Sequence, residues 1–464
     1  MTQQLIPYKK IHFIAIGGIG MSALARIFLD CGHIVSGSDR QLNNITNSLQ
    51  DSGAIVYEGH DAKQVEDADL VVFSSAIRPN NVEILEAKRL NIPIWHRLEL
   101  LAALIAVRES IAVTGTHGKT TTSSMLACIL YDAKLDPTAI LGGEVAALGG
   151  NSRYGQGNHL VAEADESNGL FVKLSPKHAV ILNIEPDHLD HYASFAEIEQ
   201  SFHDFAKKVP ANGNIVLGID CPSCHILAEK LIKEGKQVIT CALNGPADYN
   251  ARDIKPNPNI GGISFLVDKK GNELGRVQLI VPGKHNVQDA LCALAMALEL
   301  GVSFEDCQSA LSRFTGSLRR FQKVYSDNGV QIYDEYSHHP TEIRAALRAG
   351  RDFETKRLIA VFQPHLYSRT RLLLKDFASS FAEADLIVLT DIYGSREDPQ
   401  PGIDGTLLYE AIRRVMPDKK LIYQRDKKRL ARTLQHLIKP GDLVLMLGAG
   451  DINSISQELK SYLN

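Results

Sequence analysis

Short runs of consecutive apolar residues, rich in Val, Ile and Leu, alternate with stretches of helical periodicity along the whole chain. IHFIAI, DLVVFSS, SIAVTG, HLVAEA, HAVILNI, RLIAVFQ, DLIVLTD and DLVLML are apolar on both faces. A strand of that kind has to be covered on both sides, as parallel sheets with crossover helices provide. The pattern predicts an α/β protein with mainly parallel sheets. The stretch from about Ala247 to Val281 reads instead as strands joined by turns, an expected antiparallel appendage. No internal repeat, low-complexity tract or long charge run is visible.

The 464 residues suggest three domains at about 150 residues each. The pattern divides them into 1–107, ending in the helical LELLAALIAV, 108–318, and 319–464. Lys plus Arg total 50 against 54 for Asp plus Glu, a formal charge of -4. That balance argues against a protein that coats nucleic acid and leaves room for a local phosphate-binding cleft. The start MTQQLIPYKK has no signal-peptide character, and the apolar run after it is broken by glycines and Arg26. It reads as strand, turn and helix rather than a membrane insertion. Seven scattered cysteines include one C-x-x-C, Cys221 and Cys224, without a second pair to complete a zinc site. Ordinary reduced thiols in a reducing cytoplasm are expected, against the sharper reading of a redox or metal role.

Two glycine turns carry candidate chemistry. Gly17-Gly18-Ile19-Gly20-Met21-Ser22-Ala23 lies between IHFIAI and a helical run, and Asp39 ends the next strand. Glycines let the backbone approach a pyrophosphate, the helix start offers unpaired N–H groups, and an acid can take a ribose hydroxyl. Alone, this turn suggests an NAD enzyme. Gly115-Thr116-His117-Gly118-Lys119-Thr120-Thr121 follows SIAVT and opens a second helix. It is a shortened P-loop, in which backbone N–H groups wrap a β-phosphate, Lys119 neutralises phosphate charge and Thr120 ligates Mg²⁺. Downstream, Glu163 ends a strand as a candidate metal ligand, and His188 lies in the acid-rich EPDHLDH.

Taken in order, AIGGIGMSALA, VTGTHGKTTT, EADES, NIEPDHLDHY, GKHN, LRRFQ, DEYSHHPTEI, FQPHLYSRT and LGAGDI resemble the Mur ligase family of bacterial cell-wall synthesis over essentially the whole chain. The resemblance implies an N-terminal Rossmann-like domain for a UDP-sugar, a central P-loop ATPase-like domain, and a C-terminal Rossmann-like domain that brings an amino acid. It implies ATP, with Mg²⁺ or Mn²⁺ in its place, and the small-molecule substrates UDP-N-acetylmuramate and L-alanine. By resemblance Gly18, Ile19 and Gly20 hold the pyrophosphate and Asp39 the uridine, with Ser74, Ala76 and Ile77 lining the same site. Gly115, Thr116, His117, Gly118, Lys119, Thr120 and Thr121 hold ATP, and Thr120, Glu163 and His188 surround the metals. Asn286 reads adenine, and Arg319 and Asp334 reach the nucleotide. Tyr336, His338, His365 and Arg369 face the amino acid and the growing acyl phosphate.

Some positions depart from the family pattern. Leu366 stands where an Arg is usual, Asp289 where a second Asn is usual, and Ser337 where Gly is usual. Phe202 and His203 occupy the region where sister ligases carry a carbamylated lysine, so none is expected here. His338 and His365 are both candidates to deprotonate the incoming amine. His339 is expected to be structural, because Pro340 and a helix follow it. The alternatives are a ligase that recycles a murein tripeptide, and an NAD-dependent dehydrogenase, which leaves GTHGKTTT unexplained. The oligomeric state, monomer or dimer, is open in the sequence.

Overall fold

In the computed structural model, which describes residues 6–187, 191–257, 261–395 and 397–463, the apolar runs become the strands of three sheets. The first sheet comprises β1 (Lys10–Ile14), β2 (Ile34–Asp39), β3 (Ile55–Glu58), β4 (Leu70–Phe73) and β5 (Ile94–His96). Their order is β3-β2-β1-β4-β5 and every pair is parallel.

The second sheet contains β6 (Glu109–Thr114), β7 (Thr138–Val145), β8 (Gly150–Arg153), β9 (His159–Glu163), β10 (His178–Ile181), β11 (Asn214–Gly218) and β12 (Gln237–Ala242). They run in the order β12-β11-β10-β6-β9-β7-β8, parallel except for β7 with β8. The stretch read as an appendage forms β13 (Tyr249–Asn257), β14 (Gly262–Lys269) and β15 (Asn272–Leu279), which are neighbours in that order.

The third sheet comprises β16 (Gln322–Asp327), β17 (Val330–Glu335), β18 (Arg357–Phe362), β19 (Leu386–Leu389), β20 (Lys420–Tyr423) and β21 (Asp442–Leu447), ordered β16-β17-β21-β18-β19-β20. Only β16 with β17 is antiparallel. β21 is buried at all six positions, because helices cover both faces. Ile343, Leu347 and Phe377 pack on one side, and Leu430, Leu434 and Leu459 on the other. Each such side chain contributes roughly 1.5–3 kcal/mol by leaving water.

Strand order fixes where ligands can enter. β1 lies between β2 and β4, and β6 between β10 and β9, so the chain reverses its direction of winding beside each of these strands. At such switch points the following loops splay apart and leave a crevice at the carboxyl ends of the strands. Both glycine turns leave these two strands at those ends. The backbone divides into two compact units: Met1–Ala251 with Val267–Leu274 and Gln288–Leu311, and Arg252–Leu266 with Gly275–Val287 and Ser312–Asn464. Among the described residues no helix is long and apolar enough to cross a membrane.

Candidate active site

The helix after β1 begins at Ile19 with Gly18 as its N-cap, so the glycine motif supplies the first helical turn itself. Gly17 donates its N–H to Asp39 Oδ2 at 2.9 Å. A Cβ at Gly17 would lie 2.9 Å from both that oxygen and Thr46 Cγ2, so the tight turn requires glycine. Gly18, Ile19, Gly20, Asp39, Ser74 and Ala76 line one cavity of about 380 Å³. Ile77 does not join them. Its N–H closes a turn onto Ser74 O at 3.0 Å, and its side chain packs with Phe73 and Ile94 against the core around Val71 and Ile84.

The same cavity reaches the central sheet, where Gly142, Glu163 and Asp165 line it together with Arg97. Arg97 pairs with Asp165 at 3.1 Å, and its guanidinium is 3.1 Å from where a Gly20 Cβ would stand. Asn151 Nδ2 donates to Ile19 O at 2.7 Å and fastens the first glycine turn to β8. Neither Arg97 nor Asn151 stood out in the sequence, because each is remote from the motif it serves.

The second glycine loop needs left-handed backbone at Gly115 (φ +139°) and Gly118 (φ +84°), which glycine adopts without strain. Asn183, just past β10, clamps it. His117 N–H donates to Asn183 Oδ1 at 2.7 Å, and Asn183 Nδ2 returns a bond to His117 O at 3.1 Å. Thr116 N–H donates to Asn183 O, and Glu185 N–H to Thr116 Oγ1 at 2.9 Å. Lys119 and Thr120 start the following helix, Lys119–Asp132, and Thr121 is buried in its first turn.

The Lys119 ammonium donates to Gly115 O at 2.6 Å, Thr116 O at 3.2 Å and Glu166 Oε1 at 2.9 Å. Burial alone pulls its pKa down, but Glu166, Asp165 and Glu163 together more than offset this and leave it at about 12. Thr120 Oγ1 donates to Glu163 Oε2 at 2.7 Å. A Cβ at Gly142 would collide with both oxygens, so glycine there keeps the gap between the strand and the loop open. Two hard oxygens facing an open gap beside this glycine loop suit a divalent cation such as Mg²⁺. His188, the other expected metal ligand, lies outside the described residues. Asp289 is also placed here. It abuts Gly118, closer than a Cβ at 118 would allow, so this departure from the family pattern belongs to the glycine loop.

Residues of the other unit form clusters of their own. Asn286 is buried, and its Nδ2 donates to Pro282 O at 2.6 Å. Arg319 takes a left-handed backbone (φ +62°), donates from Nη2 to Gly448 O and Gly450 O, and lies 4.9 Å over the Tyr336 ring. Asp334 is buried and accepts from Ser456 Oγ, and burial pushes its pKa up to about 6.

The rings of Tyr336 and His338 are 5.4 Å apart, His338 and His365 5.9 Å, and His365 stacks on Tyr393 at 5.8 Å. His338 Nδ1 lies 3.1 Å from Tyr336 O and 3.4 Å from Glu342 Oε2. Arg369 Nη1 lies 3.3 Å from His365 Nδ1. Leu366 is buried with φ +70° and accepts from Thr370, so it offers no charge to a ligand. His339 caps the helix Pro340–Arg351 in a capping box with Glu342, the structural role expected of it. Ser337 donates to buried Glu335, which also accepts from Phe321 N–H.

A phosphate-type loop and a hydroxyl–carboxylate pair suited to a cation, at one sheet's carboxyl end, define an α/β enzyme that uses a nucleoside triphosphate. The chain belongs to the Mur ligase family. The models for the Mur ligase family catalytic domain, the Mur ligase middle domain and the Mur ligase glutamate ligase domain match residues 10–109, 113–297 and 319–450. It is 42% identical over 455 residues to the UDP-N-acetylmuramate–L-alanine ligase of Syntrophotalea carbinolica, covering 98% of each chain. To that of Geobacter sulfurreducens it is 44% identical, over 96% of this chain and 95% of the relative. The crystal structure of UDP-N-acetylmuramate–alanine ligase from Thermotoga maritima matches with a TM-score of 0.83 at 30% identity, covering 98% and 99% of the two chains. A murein peptide ligase from Psychrobacter arcticus matches with a TM-score of 0.72 at 25% identity, covering 98% of each.

Proposed function

We propose that this chain joins L-alanine to the lactyl carboxylate of UDP-N-acetylmuramate at the expense of ATP, through an acyl phosphate, in peptidoglycan precursor synthesis in the cytoplasm. One observation carries the chemistry: a single cavity is lined by Gly18–Gly20 and Asp39 at one end and by Gly142 and Glu163 at the other. A UDP-sugar held by the first turn would therefore extend its carboxylate toward the phosphates of a nucleotide held by the second. The 42–44% identity to alanine-adding relatives over nearly the whole chain supports L-alanine as the acceptor.

A carboxylate does not condense with an amine at neutral pH, because oxide is a very poor leaving group; phosphorylation makes the leaving group phosphate. Lys119 neutralises charge on the transferring phosphoryl group. Mg²⁺, held by Thr120 and Glu163 with His188 as the further ligand, would add charge neutralisation and alignment of the phosphates. The amine has to lose a proton, and the histidine geometry favours His338 over His365. With Nδ1–H directed at Tyr336 O and Glu342, the neutral His338 ring carries its lone pair on Nε2 and gains support as it protonates. At His365 the Arg369 guanidinium donates toward Nδ1 and opposes a second positive charge. Closure of the site around substrates would protect the acyl phosphate from water, with ATP arriving first.

The test is phosphate release from ATP with UDP-N-acetylmuramate and Mg²⁺, adding L-alanine, glycine, L-serine or a murein tripeptide in turn. Release that needs both the sugar and L-alanine supports the proposal. Release with the tripeptide alone would transfer the chain to the recycling class, and no release with any acceptor would refute the ligase reading.

A further inference from the structure

Each residue of the run Asn183–Ile184–Glu185 is engaged. Asn183 and Glu185 grip the second glycine loop, and Ile184 between them donates its N–H to Cys221 Sγ at 3.3 Å. Cys221 is the half-buried N-cap of the helix Pro222–Lys233, just beyond β11 and on the same carboxyl edge of the sheet as the loop. Its thiol is hydrogen-bonded to that of Cys224, one helical turn along and fully buried. The Cys224 thiol, joined by the backbone N–H groups of Ile184, Cys224 and Ser223, outweighs burial and holds Cys221 at about 6. A thiolate poised at neutral pH next to a resolving thiol is the arrangement of reactive cysteine pairs.

We propose that Cys221 and Cys224 form a thiol–disulfide pair whose oxidation loosens the ATP loop through Ile184. With hydrogen peroxide as oxidant, the Cys221 thiolate attacks the O–O bond, giving a sulfenic acid and, after protonation, water. The Cys224 thiol then attacks that sulfur, the S–S bond forms and a second water leaves. Two thiols surrender two electrons and peroxide takes them up. In the disulfide the Cys221 sulfur is neutral and a poor acceptor, so the Ile184 N–H loses its partner. The segment that presents Asn183 and Glu185 to Thr116 and His117 is then less firmly held. This rests on the reading of Gly115–Thr121 as the ATP loop.

The test uses the full chain, reduced or treated with hydrogen peroxide and then catalase. Intact mass and peptide mapping locate any Cys221–Cys224 disulfide, and calorimetry measures ATP affinity in each form. Loss of one supporting hydrogen bond predicts about fivefold weaker ATP binding on oxidation, reversed by dithiothreitol and absent in Cys224→Ser. A thermal melt of Cys224→Ser confirms that the variant is folded. A mapped disulfide with unchanged ATP affinity would overturn the proposal, as would peroxide treatment that leaves this pair reduced or takes Cys221 to a sulfinic acid. If the reduced protein fails to bind ATP, the loop reading itself fails, and that is visible before any oxidation.

Discussion

The Thr120 hydroxyl donates to Glu163 at 2.7 Å across a gap that exists because residue 142 is glycine. Gly142→Ala would place a methyl group against both oxygens and push Glu163 away from the loop. Steady-state assays should show kcat reduced about 100-fold or more, as expected when a catalytic group is displaced by about 1 Å, while the thermal midpoint stays close to wild type. An active Gly142→Ala enzyme with unchanged Mg²⁺ dependence would remove Thr120 and Glu163 from the metal site.

Lys119 and Glu166 form a buried ion pair at 2.8 Å, with which a phosphate bound at Lys119 would compete. Glu166→Gln removes the competitor and a negative charge next to the phosphates. ATP should bind more tightly, by about tenfold or ~1.4 kcal/mol, whereas Lys119→Ala should abolish phosphate release. Because the Lys119 pKa is raised, the stability it contributes is fully present below about 10.5 and is lost as pH rises through about 12. Alkaline melts of wild type and Glu166→Gln should therefore diverge least at the highest pH.

Much of this site is local in the chain, and that part was legible. A strand, a glycine turn and a helix are consecutive, so Gly18–Gly20 and Gly115–Thr121 can be read directly, as can the His339–Pro340 helix start. Glu163 was legible because it ends an apolar run. Arg97, Asn151, Asn183 and Gly142 were not, since each acquires its role from strand order. β10 and β9 flank β6 although 67 and 50 residues separate their first paired positions in the chain, His178 with Ile111 and His159 with Glu109. Asn183 carried a usable signal, a polar residue directly after an apolar strand. The packing of Ile77 was hidden for a related reason: the turn at Ser74 sends this apolar side chain back to the core, which composition alone does not reveal.

Asp334 supplies a pH dependence of known sign. Its folded pKa, about 6, lies above the ordinary 3.8 because of burial. The native state then binds a proton more tightly than the unfolded chain, so this residue favours folding at low pH. That contribution is complete below about pH 4 and is lost as pH rises through about 6. The loss is on the order of 3 kcal/mol at about 1.4 kcal/mol per pKa unit. Urea melts from pH 4 to 7 should show Asp334→Asn with a shallower decline than wild type. Parallel curves would mean that Asp334 does not titrate in this range.

His338 and His365 make opposite predictions about the proton of the amine. If His338 Nε2 accepts it, His338→Ala should lower kcat about 100-fold or more and abolish the acidic limb of the kcat–pH profile, with little change in ATP affinity. Glu342→Gln should shift that limb to lower pH, because the neighbouring carboxylate that favours the charged ring is gone. His365→Ala should instead raise the KM for L-alanine or slow acyl-phosphate formation while keeping the limb, since His365 stacks on Tyr393 and faces Arg369. A limb that survives in His338→Ala and disappears in His365→Ala would exchange the two roles, and would mean that the Arg369 contact gives way when substrates bind.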